Sequence, residues 1–245
     1  MSLLEVCLET LFTLILAHVA DVEDARGVIN VVNKQLVEHP FIVPENIGKS
    51  LDNSFASSFV SLQGRTLDAI NRAGGVEKLP QLQYLDTTYR SYVGSEGPRC
   101  LCGLIFTNKV NEKLMSPILQ ICDEALNGLE YIGLTIYVLR PGVNLSPHRG
   151  SYAGFVRYVV VLYCGEKSVI TVAGTDYQLQ EKSSLFYNPL ATMSISNGGK
   201  QTLIFLSIDI YRPFENTDDI LNYVAIRAIK ETSEVEHAFN LAAVE

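Results

Sequence analysis

The sequence contains four histidines, and one of them stands where a side chain could do chemistry. His148 lies in the segment 139–150, LRPGVNLSPHRG, between two strand-like runs. We expect this segment to be a loop, and loops on a rigid scaffold are where binding and catalytic groups concentrate. Imidazole titrates near neutral pH, so His148 is suited to proton transfer or metal binding. His18 in an apolar helix, His39 before a proline and His237 in an acidic tail are typical of packed or solvated side chains.

Two more candidate catalytic residues lie in strand-like runs after His148. Arg157 stands near the start of FVRYVVVLYC, and its guanidinium could hold a carboxylate or an enolate oxygen. Tyr187 ends the run 183–187 and could donate a hydrogen bond. A structural alternative remains open, in which Arg157 forms an ion pair with Asp209 or Glu166 and Tyr187 only packs.

The stretch 139–213 resembles the aspartyl/asparaginyl β-hydroxylase family of Fe(II)/2-oxoglutarate oxygenases. The residues that carry the resemblance are LRPG at 139–142, PHRG at 147–150, Arg157, and DIYRP at 209–213. The resemblance implies a double-stranded β-helix, in which His148 is an iron-binding histidine.

The sequence departs from this family where the remaining ligands should be. The family has glycine at the carboxylate position, here Gly150, and we align its second metal histidine with Thr192. The arginine that pairs with 2-oxoglutarate is missing from the matching segment 200–203, in which Lys200 is the nearest cation. Iron(II) is low in the affinity order of divalent metals, so one imidazole should not retain it. We expect no metal and no cofactor, with Fe(II) and 2-oxoglutarate bound only if the ligand set is unusual.

A barrel without metal still offers a concave, partly apolar site for a small molecule. Strand alternation and motif position predict four substrate-binding residues beside the three catalytic candidates. They are Tyr137, Thr192, Ser194 and Asp209.

The elements that must position these residues change character along the chain. Residues 1–80 carry mostly helical patterns, among them one from Val22 to His39. Residues 81–215 contain extended chain, a helix at 111–129 and then short β-branched and aromatic runs separated by turns. Residues 216–245 contain a helix that starts at Thr217, whose hydroxyl suits a cap. We predict an α+β fold, a cupin-like jelly-roll barrel with N-terminal helices bracing it and a C-terminal helix, all one structural unit.

Composition restricts the partners. The chain has 245 residues, 47% of them hydrophobic, and a net charge of −8 without a basic block, which argues against nucleic acid. No apolar run reaches transmembrane length. Five scattered cysteines indicate a reducing compartment, and we expect a cytoplasmic protein. An apolar stripe in the first helix, which includes Leu11 and Leu14, suits either bracing or a homodimer.

Three functions compete at this point. The first is an enzyme for a small hydrophobic substrate, in a biosynthetic pathway, that performs isomerisation, cyclisation, dehydration or ring opening without iron. The second is an Fe(II)/2-oxoglutarate hydroxylase with an unusual ligand set. The third is a ligand-binding protein without catalysis.

Overall fold

A computed structural model describes the first helices, most of the β-rich region and the C-terminal helix. The described residues are 3–18, 22–38, 64–65, 68, 71–72, 74, 104–106, 131–149, 153–212 and 216–231. The helices are α1 (Leu3–His18), α2 (Val22–Glu38) and α3 (Thr217–Glu231). They confirm the predicted N-terminal and C-terminal helices. None of the described helices has the length and apolarity needed to cross a bilayer. The predicted helix at 111–129 and the segment 81–100 lie outside the described residues, and the domain boundaries stay a prediction.

The strands follow one another closely from residue 131 onwards. They are β1 (Leu104–Phe106), β2 (Tyr131–Leu139), β3 (Asn144–His148), β4 (Phe155–Tyr163), β5 (Ser168–Val172), β6 (Thr175–Gln178), β7 (Ser184–Tyr187), β8 (Met193–Asn197) and β9 (Leu203–Tyr211). They form two antiparallel sheets, with the orders β1-β2-β9-β4-β7 and β3-β8-β5-β6.

The inner faces of the two sheets pack on each other. Val159 and Phe205 of the first sheet share one buried cluster with Leu145, Ile170 and Ile195 of the second. From β2 onwards, successive strands alternate between the two sheets, except that β5 and β6 form a hairpin within the smaller sheet, and this is the winding of a double-stranded β-helix. This confirms the predicted fold class with one correction, because the described strands form two open sheets rather than a closed barrel.

The central strands β4 and β9 are buried on both faces, which explains their nearly continuous apolar sequences. Tight turns join the strands where the sequence predicts them. Pro141 and Gly142 (φ 76°) form a turn closed by a 3.1 Å hydrogen bond from Val143 N–H to the Arg140 carbonyl. Positive φ at the third position is typical of a type II turn and requires glycine there.

Four of the strands, β1, β3, β6 and β8, were not predicted from the sequence. Strand β6 is exposed along its whole length, so its sequence has no apolar alternation to detect. Strand β3 contains Pro147 and a register shift between Leu145 and His148. Proline is tolerated at such a bulge because the ladder is already interrupted there. The predicted loop position of His148 is therefore wrong, and His148 ends β3.

Helices α2 and α3 contact the chain segment that leads into β4. The Asn33 side chain of α2 accepts a 2.8 Å hydrogen bond from Ala153 N–H. The Asn222 side chain of α3 donates a 2.6 Å hydrogen bond to the Gly154 carbonyl. The helices thus hold the backbone just before the strand that carries Arg157.

A buried ion pair joins α3 to the end of β9. Arg212 Nε lies 3.0 Å from Asp219 Oδ1, and the two side chains are only 2% and 0% exposed. Arg212 also donates a 3.3 Å hydrogen bond to the Ala153 carbonyl. The helix start at Thr217 is confirmed, but the side-chain oxygen of Asn216, rather than the Thr217 hydroxyl, accepts the 3.1 Å hydrogen bond from the Asp219 amide. The Asp219 carboxylate pairs with Arg212.

We expect Asp219→Asn to destabilise the protein by about 3–5 kcal/mol, because it leaves the Arg212 charge buried and unpaired. The free energy of unfolding in urea measures this. The control is Glu9→Gln, which removes an exposed ion pair between α1 and Arg227 of α3 and should cost much less. Equal losses for the two variants would contradict the assignment.

Candidate functional site

Most of the predicted site residues lie at one end of the sandwich, where strand ends of both sheets meet. We call this end the site edge. Because paired strands run antiparallel, β3, β5, β7 and β9 end at this edge, while β2, β4, β6 and β8 begin there. The site edge therefore includes Arg157, Tyr187 and Asp209 on the larger sheet and His148 on the smaller one.

Arg157 and Asp209 form a bidentate ion pair on the inner face of the larger sheet. They occupy paired positions on β4 and β9, and Val159 and Phe205 of the buried cluster follow on the same face of these strands. Arg157 Nε donates to Asp209 Oδ1 at 2.7 Å, and Arg157 Nη2 donates to Oδ2 at 2.9 Å. Burial disfavours the guanidinium charge, but the attraction of Asp209, the hydrogen bonds to Asp209 and the contributions of Tyr187 and Tyr137 together outweigh it and hold the pKa of Arg157 well above its usual value. Of the two alternatives left open by the sequence, Asp209 rather than Glu166 is the partner.

Tyr187 lies beside this pair, at the position on β7 that pairs with Arg157. Its side chain belongs to the buried cluster and is 5% exposed. Its buried hydroxyl lies beside the Arg157 guanidinium, which can only donate, and the hydroxyl hydrogen has no acceptor among the described residues. Burial raises the pKa of Tyr187, although the nearby Arg157 charge acts in the opposite direction. The phenol therefore keeps its proton at neutral pH and is a hydrogen-bond donor without an acceptor in the described part of the chain.

His148 lies on the facing sheet, opposite Met193 in the β3–β8 ladder. Paired residues present their side chains on the same face, and Met193 belongs to the buried core cluster, so His148 points to the inner face too. His148 Nδ1 lies 2.8 Å from the Ser146 carbonyl oxygen. A carbonyl oxygen can only accept, so the neutral ring carries its hydrogen on Nδ1 and leaves the Nε2 lone pair free.

Of two predicted site residues at β8, one does not face the interior. Strand β8 alternates, with Met193 and Ile195 in the core cluster, so Ser194 between them lies on the outer face. The Thr192 hydroxyl accepts a 2.7 Å hydrogen bond from Arg149 Nε, an exposed contact. Ser194 therefore does not face the interior as predicted, because a shift of one residue along a strand exchanges its faces. Thr192 precedes β8, and its role in substrate binding stays a prediction.

Met193 takes the place that the sequence analysis gave to Thr192, since it is the residue of β8 that faces inwards opposite His148. Ser207, which lies two residues before Asp209 on β9 and is also buried, was not among the predicted site residues. The sequence MSISN of β8 carries the signal, because its apolar residues alternate with serines. That period of two indicates an inward Met193.

The remaining candidates divide between the two edges. Tyr137 stacks on Phe205 with ring centroids 4.7 Å apart and contributes to the electrostatics of Arg157, so it belongs with the site. Lys200 is exposed and lies in the turn between β8 and β9, at the opposite edge, and cannot replace the missing arginine.

A cavity at that opposite edge is separate from the site and is lined by residues 164–167 and 178–181. It contains Cys164, whose thiol is free and lies 3.7 Å from the Leu179 carbonyl oxygen. Burial and the Glu181 charge raise the pKa of this thiol. A thiol that stays protonated is a poor nucleophile and a poor metal ligand, which indicates a structural role for Cys164.

The donor set among the described residues does not fit an iron(II) site. His148 faces the thioether of Met193, a soft ligand unsuited to iron(II) in an oxygenase. Both oxygens of Asp209 are engaged by Arg157. Within the described ranges, no three His, Cys, Asp or Glu side chains are grouped closely enough to hold a metal ion. The absence of a cofactor nevertheless stays a prediction.

The protonated state of Tyr187 predicts a pH dependence of stability. Above about pH 10, the usual tyrosine pKa, the unfolded chain loses the phenol proton while the folded chain keeps it. The free energy of unfolding should therefore fall more steeply with rising pH in the wild type than in Tyr187→Phe. Parallel urea titrations of the two proteins measure the difference, and identical pH profiles would contradict the raised pKa.

The inward position of Met193 predicts that a second histidine there completes a two-imidazole site with His148. We expect Met193→His to bind Zn²⁺ at least about tenfold more tightly than the wild type, since affinity comes from several ligands acting together. Isothermal titration calorimetry measures this. Thr192→His is the matched control and should not gain affinity, and the reverse order would restore the original alignment.

Comparison with known proteins agrees with this geometry. Residues 105–213, a little under half of the chain, match the family described as Aspartyl/Asparaginyl beta-hydroxylase. No curated protein matches the chain.

Among solved structures, the chain is similar to a Cupin_2 domain of an XRE family transcriptional regulator from Enterobacter cloacae. The two share 21% identity over 33% of this chain and 82% of that chain, with a TM-score of 0.30. A predicted oxalate decarboxylase from Thermotoga maritima has 23% identity over 37% of this chain and 74% of its own, with a TM-score of 0.30. A cupin protein from Bacteroides fragilis has 21% identity over 36% and 72%, with a TM-score of 0.31. Similarity at this level says nothing about activity.

The predicted resemblance rests on the family match and on the strand order, which is that of a double-stranded β-helix. It is confirmed as a resemblance: residues 105–213 are similar to the aspartyl/asparaginyl β-hydroxylase family, and the described strands have the order of a double-stranded β-helix.

Proposed function

We propose that this chain is an enzyme that acts on a small organic molecule at the site edge by acid/base chemistry without a change in oxidation state. The observation that carries the proposal is the buried Tyr187 hydroxyl, whose hydrogen has no acceptor among the described residues. Leaving such a group unsatisfied costs about 1–3 kcal/mol, which a bound ligand with an acceptor oxygen would recover.

Three side chains at the site edge, those of His148, Tyr187 and Arg157, have different roles in the proposed proton transfer. His148 offers the free Nε2 lone pair as a general base, with its ring oriented by the Ser146 carbonyl. Tyr187 donates its hydrogen to an oxygen of the substrate and is suited to act as general acid. Arg157 retains N–H groups that are not used by Asp209 and stabilises negative charge that develops on that oxygen.

The surroundings of these groups are apolar, which suits the hydrophobic substrate that we expect. Val159, Val172, Met193 and Phe205 belong to the buried cluster that continues inwards from the site edge. An environment from which water is excluded strengthens each electrostatic contact with the substrate. Isomerisation, cyclisation, dehydration and ring opening each need only such a wall and a matched acid and base.

The family match favours a second candidate, an Fe(II)/2-oxoglutarate-dependent hydroxylase. The donors around His148 and the turn position of Lys200 argue against it. A binding protein without catalysis is a third candidate. The Tyr187 hydroxyl, which has no acceptor among the described residues, can be satisfied by a bound ligand without any reaction.

We expect the purified chain to convert a component of a metabolite extract into a product of equal mass, or of a mass lower by one water, in the presence of a chelator. His148→Gln should lower that conversion by about 10²–10⁴-fold, the usual contribution of a general base. Mass spectrometry of the extract with wild type and variant measures it. His18→Gln, which alters a histidine of α1 far along the chain from the site, is the control.

Two outcomes would overturn the proposal. Products that gain one oxygen atom, with conversion of 2-oxoglutarate to succinate that requires added iron, would establish the hydroxylase. Binding of an extract component that depends on Tyr187, with no conversion by any preparation, would establish the binding protein.

A further inference from the structure

The guanidinium of Arg157 is already occupied by a carboxylate of the chain itself. Nε and Nη2 of Arg157 each donate to a different oxygen of Asp209, at 2.7 and 2.9 Å. This two-pronged contact is the geometry in which arginine binds a carboxylate most strongly. The pair also brings no net charge to the inner face of the sheet.

A ligand carboxylate would meet two obstacles at this place. It would have to displace Asp209, which is held at a paired position of the neighbouring strand and pays no entropy of association. If it did not displace Asp209, its charge would lie beside the Asp209 charge in a partly buried site, where the two side chains are 19% and 18% exposed. Like charges brought together in such a site repel strongly.

An uncharged acceptor oxygen meets neither obstacle. Tyr187 is 5% exposed, and its hydroxyl hydrogen has no acceptor among the described residues, since the neighbouring Arg157 can only donate. Arg157 occupies the paired position on the adjacent strand and has N–H groups beyond the two that bind Asp209. Two donors at paired positions on one face suit a single carbonyl oxygen, which has two lone pairs to accept with.

We infer, building on the proposed function, that the site takes uncharged molecules with a carbonyl oxygen and that Asp209 excludes carboxylates from it. Asp209 is thus the residue that determines charge selectivity, through its hold on Arg157. Tyr187 is the residue that binds the carbonyl oxygen.

Matched probes test this inference without knowledge of the substrate. A series of fluorinated aromatic amides is compared with the carboxylates of the same rings, by ¹⁹F NMR titration at millimolar concentration. We expect the wild type to bind the best amide at least about tenfold more tightly than its carboxylate, because the pair differs in charge and hardly in shape. A wild type that prefers the carboxylate, or that binds no member of the series, would overturn the inference.

Two variants assign the roles. Tyr187→Phe removes a hydroxyl without a partner, so the fold should persist while amide affinity falls by about tenfold. Asp209→Asn releases Arg157, and we expect it to reverse the preference in favour of the carboxylate. If Asp209→Asn does not fold, the wild type and Tyr187→Phe still decide the question. An amide affinity unchanged in Tyr187→Phe, or a preference unchanged in a folded Asp209→Asn, would count against it.

The inference and the proposed function fail separately. Selective, Tyr187-dependent binding of amides without turnover of any metabolite would leave the selectivity standing and remove the enzyme. Turnover of a carboxylate substrate that depends on His148 would keep the enzyme and remove the selectivity.

Discussion

The ion pair between Arg157 and Asp209 is the interaction on which the rest of the site depends. It joins the two central strands of the larger sheet at the edge where the predicted site residues meet. Because both oxygens of Asp209 accept hydrogen bonds from Arg157, this carboxylate is already engaged and is not a free metal ligand. The pair leaves the adjacent Tyr187 hydroxyl as the polar group that a ligand must satisfy.

The closing motif of the resemblance, DIYRP at 209–213, divides into two roles in the folded chain. Asp209 faces the interior and binds Arg157, while Arg212 turns to the Asp219 carboxylate and the Ala153 carbonyl. The second contact fixes α3 against the segment that leads into β4. A motif that the sequence associates with chemistry therefore serves both the site and the docking of a helix, because three residues along a strand separate opposite faces.

Much of the fold followed from patterns that are local in the chain. The β-branched runs of β4 and β9, the turn at Pro141 and Gly142 and the helix start near Thr217 all depend on neighbours within a few residues. Strands such as β6, exposed throughout, carry no such pattern and were missed. The inward position of His148 was also not predicted, because it depends on a β-bulge. A bulge is defined by the pairing of two strands and not by one strand alone.

The candidate site residues show the same difference between what the local sequence predicts and what strand pairing decides. The residue types of His148, Arg157, Tyr187 and Asp209, their order in the motifs and the lack of a second histidine between His148 and His237 are all legible in the linear chain. Folding alone decided that Asp209 rather than Glu166 binds Arg157 and that Met193 rather than Thr192 faces His148. It also buried the Tyr187 hydroxyl where no described residue accepts its hydrogen. The reason is physical: composition and periodicity describe each strand by itself, whereas partners and inward faces are set by the register between strands distant in sequence.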